Sequence, residues 1–193
     1  LSREYKVVTL TGPRQSGKTT LARAQFPDYH YVNLEDPESR ALAERDTREF
    51  LRRHPVPVII DEIQRFPQLL SYIQVESDKL STKGAYILTG SHQPSLKAEV
   101  VQSLAGRTAI LELLPLSIAE LRDVGIVLDR DEYLYKGFMP QLYDEDISVS
   151  RFYRNYYMTY VERDARLLVN IRNFSAFELF IKLLAGRIGQ LIN

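Results

Sequence analysis

A chain of 193 residues and 22.3 kDa, with 45% hydrophobic and 26% charged side chains, matches one ordinary globular domain, or one domain plus part of another. Its 25 basic and 25 acidic side chains cancel, which argues against coating nucleic acid through an overall field while allowing a local basic patch. The absence of cysteine excludes disulfides, thiolate zinc sites, iron–sulfur clusters and cysteine nucleophiles.

The three histidines, His30, His54 and His92, are far apart in sequence and lack ligand spacing. No apolar run reaches the roughly 18 residues of a membrane span and no cleavable leader precedes the first strand. A soluble, cytoplasmic chain with no membrane partner is expected. It begins at Leu1 and stops at Asn193 after an apolar helical run, which reads as a piece of something longer.

Residues 6–11 are apolar and β-branched and predict a buried strand. Gly12-Pro13-Arg14-Gln15-Ser16-Gly17-Lys18-Thr19 follows and satisfies G-x-x-x-x-G-K-[ST] in full. Two glycines let the chain wrap so that successive amides, from Gly12 to Thr20, point at phosphate oxygens. The helix expected over 18–25 begins at the lysine, so its positive end faces the same anion. Lys18 supplies a full charge for the β- and γ-phosphates, and Thr19 a hydroxyl for Mg²⁺. Arg14 is either a contact to the terminal phosphate or a solvent-facing cation.

A second strand is predicted over 29–34 and one helix over 37–53, with Pro37 in its first turn. The third strand reads 55–60, with Pro57 at its start or on an edge. It delivers Asp61 and Glu62 to its C-terminal end, the edge where ligands bind in open α/β sheets. Asp61 suits a Mg²⁺-holding role and Glu62 the orientation and deprotonation of an attacking water; the alternative is a pair of carboxylates capping the next helix.

Helix is expected over 67–80 and a fourth strand over 85–89. Leu88-Thr-Gly-Ser91 ends that strand; Ser91 is read as a sensor of the γ-phosphate or the attacking water, against a simple turn. After a helix over 94–105, Arg107 is the candidate for an arginine stabilising transition-state charge, or else a surface ion-pair partner. A fifth strand covers 108–113.

Strand and helix alternating at this spacing predict an α/β fold: a P-loop NTPase parallel sheet of about five strands with flanking helices. One predicted strand, 29–34, intervenes in sequence between the two motifs, which suits the NTPase branch with an extra strand between the motif strands. Beyond Leu114 the character changes. Ser117-Ile-Ala-Glu120 is a capping box opening a short helix, a Gly137/Pro140 loop follows, and helices are expected over 149–169 and 174–188. The boundary is placed near 125: a core over 1–125 and a small all-helical region over 126–193. In that region Tyr153, Tyr156, Tyr157 and Tyr160 recur beside Arg151, Arg154, Arg163 and Arg166. That stripe is read as a buried face rather than a base-stacking surface, and Glu162, Arg163 and Asp164 as an ion-pair group.

Taken together, the phosphate loop, Asn33-Leu-Glu35, Ile60-Asp-Glu-Ile-Gln64, Leu88-Thr-Gly-Ser91, Leu104-Ala-Gly-Arg107 and Leu114-Pro-Leu-Ser117 resemble a family of prokaryotic AAA-type ATPases with a C-terminal domain of unknown function. The likeness continues through Gly137-Phe-Met-Pro140, where a second glycine is usual, Tyr160-Val-Glu-Arg-Asp164 and Ala185-Gly-Arg-Ile-Gly-Gln190. The resemblance implies an AAA-like core, ATP as nucleotide, roles for Lys18, Thr19, Asp61, Glu62 and Ser91 as above, and a longer chain.

The expected function is Mg²⁺-dependent binding and hydrolysis of ATP that drives a conformational change. The alternatives are a P-loop kinase acting on a small acceptor, and a nucleotide-gated DNA-binding or scaffold module with little turnover. The partners considered are ATP, a protein or a second copy, and DNA through the C-terminal part that is absent here.

Overall fold

The computed structural model describes residues 1–91, 94–161, 173–188 and 190, side chains at 94, 95, 97, 160, 161 and 174 excepted. Strand β1 (Val7–Gly12) leads into α1 (Lys18–Gln25), β2 (His30–Asn33), α2 (Pro37–Arg45), α3 (Thr47–Arg53) and β3 (Val58–Asp61). A 3-10 turn (Ile63–Arg65), α4 (Leu69–Lys79), β4 (Tyr86–Ser91), α5 (Pro94–Ser103) and β5 (Thr108–Glu112) complete the α/β part. The five strands form one parallel sheet in the order β2-β3-β4-β1-β5, so the α/β class and parallel sheet expected from sequence are present.

In space the strand between the two motif strands is β4, not the one that intervenes in sequence; β2 lies outside them at the edge. Right-handed crossovers then dictate the layers. The β1-to-β2 connection runs against the direction of the later ones, so α1 must lie alone on its face. Its Ala22 packs with Val8, Ile59 and Ile87. The opposite face carries the larger core, where Ala43, Phe50, Leu69, Leu70, Ile73, Leu96, Val100 and Leu104 from α2 to α5 and its flank cover Val7, Val32, Val58, Ile60 and Leu88.

Local chemistry moved several boundaries. Strand β3 starts only after Pro57, which has no N–H for a ladder. The single helix expected over 37–53 is two, because Asp46 ends α2 through its backbone N–H to Leu42 O and opens α3 by accepting from Glu49 N at 3.0 Å. Helix-favouring neighbours outvote that aspartate in a composition reading, but its side chain competes with the helical backbone and caps instead. Strand β4 runs through Gly90 to Ser91, paired with β1 up to Gly12↔Ser91, so these residues extend the sheet rather than turn the chain. His30 and His54, distant in sequence, meet with Nε2 and Nδ1 2.6 Å apart at the start of β2 and the end of α3.

The chain divides into two compact units, Leu1–Asp144 and Glu145–Asn193. The first also holds α6 (Ile118–Asp123), α7 (Arg130–Lys136) and α8 (Gln141–Asp144). The expected capping box at α6 is present: Ser117 N donates to Glu120 Oε2 at 2.7 Å and Glu120 N to Ser117 Oγ at 3.2 Å. Helix α7 lies in the region expected to be helical, and Asp129 and Glu132 form the same box at its start. Replacing Ser117 by alanine is expected to destabilise the chain by about 1 kcal/mol in urea unfolding; an unchanged midpoint would deny the box a stabilising part.

In the second unit α9 (Val149–Tyr156) continues as a π-helical turn (Tyr157–Val161), and α10 spans Phe174–Ala185. Tyr153, Tyr156 and Tyr157 are half-buried, Arg151 and Arg154 exposed, and Phe152 stacks on Tyr156 at 6.0 Å. Glu162, Arg163, Asp164, Arg166, the Tyr160 side chain and the remainder of the helix expected to 169 lie outside the described residues. No helix among the described residues is long and apolar enough to cross a membrane.

Candidate functional site

The loop between β1 and α1 is shaped by close approach and by handedness. A Cβ on Gly12 would sit 2.1 Å from Leu113 O, so no side chain fits where β1 leaves the sheet beside the end of β5. Gln15 (φ 60°) and Gly17 (φ 90°) take positive φ on either side of Ser16, which does not. That alternation gathers consecutive amides into an anion nest. Ser16 folds inward, its Oγ donating to Pro13 O at 3.0 Å, and is buried.

Lys18 is buried at the head of α1, its Nζ donating to Gly12 O at 3.1 Å and Pro13 O at 2.5 Å. Burial lowers its pKa, while the nearby Glu62 and Asp61 carboxylates pull it back up and Arg14 depresses it further. The ammonium thus lies inside the loop, desolvated and aligned.

Thr19 Oγ1 donates to Asp61 Oδ2 at 2.9 Å and lies 3.1 Å from Oδ1, which joins the loop helix to the tip of β3. Asp61 also accepts from Tyr31 OH at 2.8 Å and, at Oδ1, from Thr89 Oγ1. Sheet order makes this convergence possible: β4 brings Thr89 beside Asp61, and β2 brings Tyr31 from the other flank. Burial, and then the bond to Asp61, push the Tyr31 hydroxyl well above its usual pKa, so it stays a donor. The Arg23 guanidinium lies 4.8 Å over the Tyr31 ring and braces it against α1.

Glu62 follows in a left-handed conformation (φ 59°) that costs a non-glycine residue about 1–3 kcal/mol. It departs from β3 before the 3-10 turn, and its N–H donates to Thr89 Oγ1 at 3.3 Å. Burial raises its carboxyl pKa, helped by the charges of Asp61 and Glu35 and opposed by Arg14 and Lys18. Ser91 is buried at the tip of β4, one strand from Glu62, and bonds to Gln64.

Arg107 is a correction. It precedes β5 at the N-terminal edge of the sheet, whereas the loop, Asp61 and Ser91 are at the C-terminal edge. Its guanidinium grips Asp78 with Nε–Oδ1 2.6 Å and Nη2–Oδ2 2.9 Å. The surface ion pair, not transition-state stabilisation within its own chain, is what the fold allows. A groove of about 760 Å³ between α3 and α4, with Arg48, Leu51, Tyr72 and Tyr86 among its walls, opens at that same far edge and holds none of the site residues.

Lys18, Thr19, Asp61, Glu62 and Ser91 therefore converge, and Gly12, Pro13, Arg14, Gln15, Ser16, Gly17 and Thr20 belong to the loop and the first turn of α1 beneath them. Three contributors escaped the sequence reading. Tyr31 carries no local signal, since its partner is set by strand order. Thr89 stands in the Leu88-Thr-Gly-Ser91 string, whose polar side chains the sequence directs at phosphate or water, whereas its hydroxyl bonds to Asp61 and accepts from Glu62 N. Gln64 stood in the Ile60-Asp-Glu-Ile-Gln64 string, but nothing in a linear reading says that its amide turns back toward Glu62.

A family model described as an AAA domain matches residues 4–122, and another, described as a domain of unknown function, matches residues 127–193. Uncharacterized proteins of Mycobacterium tuberculosis and Mycobacterium bovis are each 34% identical over 175 residues, covering 86% of this chain and 37% of the relative. The chain thus spans little more than a third of the length of these curated relatives. Among solved structures, the Walker-type ATPase of Pyrococcus abyssi aligns with a TM-score of 0.50 at 16% identity over 85% of this chain and 70% of that one. A signal-transduction ATPase with a tetratricopeptide repeat sensor from Pyrococcus horikoshii gives 0.47 at 19% identity, over 81% and 30%. The first of these likenesses shows the fold, that of a P-loop ATPase.

Proposed function

This chain belongs to the AAA-domain family, and from that premise we propose that it binds ATP with Mg²⁺ at the loop over 12–20 and hydrolyses it at the carboxylate tip of β3. The observation that carries the reading is the meeting of Thr19 Oγ1 with both oxygens of Asp61, at 3.1 and 2.9 Å. Had β3 ended elsewhere along the sheet, neither motif could serve the other.

The residues fit the groups they would hold. The loop is an amide nest closed by a buried cation, complementary to a polyphosphate. Thr19 and Asp61 offer hard oxygen donors, which suit Mg²⁺. Among the described residues no group of three or more His, Cys, Asp or Glu could hold a metal by itself, so nucleotide and water oxygens would complete the shell. Bound there, the ion supplies neutralisation of the charge on the β- and γ-phosphate oxygens.

The chain's own residues do the rest. Loop amides and Lys18 fix the phosphates, and the buried Lys18 charge is stronger there than at a wet surface. Tyr31 and Thr89 hold the Asp61 carboxylate in one orientation. Glu62 accepts a proton from water as the water oxygen attacks Pγ; the bond from Pγ to the bridging oxygen breaks and ADP leaves with that electron pair. The raised pKa of Glu62 brings the base closer to neutrality, where proton transfer is most efficient. Ser91 donates to the γ-phosphate from the tip of β4.

The division into a core over 1–125 and a helical region over 126–193 is supported by the change of family match between 122 and 127. The Gly137–Pro140 turn, inside the first compact unit, lies near the loop: a Cβ on Gly17 would sit 3.9 Å from Pro140 Cγ, and Phe138 O accepts from Leu116 N at 2.9 Å. That nearness supports the reading that a change at the loop is felt at residues 137–140.

Phosphate release from ATP tests the proposal. Turnover is expected with Mg²⁺ and no added acceptor, and EDTA should abolish it. ADP formed only in the presence of a small acceptor would instead make the chain a kinase. Tight ATP binding without turnover, with or without duplex DNA, would make it a nucleotide-gated module.

A further inference from the structure

Beside Glu62 lies an amide whose hydrogen-bonding groups are all engaged. Gln64, in the 3-10 turn, donates from Nε2 to Glu62 Oε2 and also to Ser91 Oγ at 3.3 Å. Its Oε1 accepts from Ser91 N at 3.3 Å. A primary amide has two N–H groups, so both are committed and the carbonyl is engaged as well. Its orientation follows: the reverse would set the carbonyl oxygen against the Glu62 carboxylate.

Gly90 supplies the room. A Cβ there would stand 2.8 Å from Gln64 Oε1 and 2.6 Å from Leu96 Cδ2. The glycine before Ser91 thus has a use other than turning the chain: it lets Gln64 lie flat on the end of β4. Glu62, left-handed at the end of β3, is offered to the same amide from the other side.

We propose that Gln64 is a positioning residue that ties the tip of β4 to the water-activating carboxylate, orienting Glu62 through one N–H while the other N–H and the carbonyl anchor it on Ser91. This rests on Glu62 being the base. The Ser91 hydroxyl accepts from Gln64 and retains its own proton to donate to a γ-phosphate oxygen. The bonds therefore branch at Gln64 Nε2: one N–H goes to Glu62 Oε2, the other to Ser91 Oγ, and the Ser91 hydroxyl carries the second arm on to phosphate. Anchored to Ser91 through its carbonyl and one N–H, the amide holds Glu62 Oε2 in a fixed place and leaves Oε1 to take the proton from water.

The test is a cycle of Gln64→Met, which keeps length and volume without the amide, with Glu62→Gln, in the purified chain. Fluorescent-ATP affinity, KM, kcat and melting temperature are recorded for each. Gln64→Met is expected to keep the melting temperature within about 4 °C of wild type and affinity and KM within about twofold, and to lower kcat roughly 10- to 100-fold. In the Glu62→Gln background it should lower kcat no further, because the amide acts through the carboxylate. Gly90→Ala, which presses on Gln64 Oε1, should reproduce the kcat loss with KM unchanged. Wild-type kcat in Gln64→Met, a parallel fall in affinity and melting temperature, or a full additional loss on top of Glu62→Gln would each overturn the proposal. Failure of the underlying reading looks different: Glu62→Gln alone would then hydrolyse ATP at the wild-type rate.

Discussion

Replacing Glu62 by glutamine is expected to leave ATP bound and to slow its hydrolysis by about 10²- to 10⁴-fold, the usual contribution of a positioned general base. The substitution preserves shape. An amide oxygen at position 62 can still accept from Gln64 Nε2, so the 3-10 turn and Ser91 keep their partner. What is lost is the capacity to take a proton. Stability should not suffer. Burial, with Asp61 and Glu35 nearby, holds the Glu62 pKa above its ordinary value, so the folded chain is penalised as pH rises through that range. Removing the charge relieves the penalty at neutral pH, and it also removes a negative charge facing a triphosphate. Nucleotide affinity should therefore equal or exceed that of wild type while single-turnover phosphate release collapses. Equal release rates in the two proteins would remove Glu62 from its role.

Lys18→Ala should fail at the earlier step. The residue is 6% exposed and its ammonium is already directed into the loop by Gly12 O and Pro13 O, so little reorganisation accompanies phosphate binding. Truncating one partner of a buried, hydrogen-bonded charge pair costs about 2–5 kcal/mol, which corresponds to roughly 30- to several-thousand-fold in affinity. Arginine is not expected to rescue, because a planar fork cannot occupy the space of a compact ammonium beneath the loop. Calorimetric titration with ATP and Mg²⁺ measures the loss, and the stabilisation of the folded chain by ATP should vanish with it. Since burial already lowers the Lys18 pKa, the alanine variant should remain folded without nucleotide. Undiminished affinity in a folded Lys18→Ala protein would mean that the phosphates bind elsewhere.

The two variants separate binding from chemistry, and the contrast between them reflects how the site is built. Lys18 acts from within the loop that carries it. Glu62 depends on β3, β4 and the 3-10 turn all standing in register.

The same distinction governs what could be read beforehand. Existence and type of the strands followed from apolar runs, and the phosphate loop from eight consecutive residues, because these are short-range properties of the chain. Asp46 shows where short-range reading falters: one capping side chain divides a stretch whose average composition favours unbroken helix. Arg107 shows a choice that short-range reading leaves open. Next to a glycine and a strand it resembles a catalytic arginine, yet strand direction puts it at the far edge of the sheet, where Asp78 claims it.

By itself, then, the sequence determined the class of fold and the cradle for phosphate, since a turn, a glycine and a helix start are decided by neighbours in the chain. Only the tertiary structure decided the company that Asp61 and Glu62 keep. Thr19 reaches Asp61 across 42 positions, Tyr31 across 30 and Thr89 across 28, while Gln64 meets Ser91 across 27. Those meetings depend on β4 lying between β1 and β3 and on β2 lying outside them. Strand order is set by which layers bury the most apolar surface under right-handed crossovers, a property of the whole sheet that no local stretch encodes.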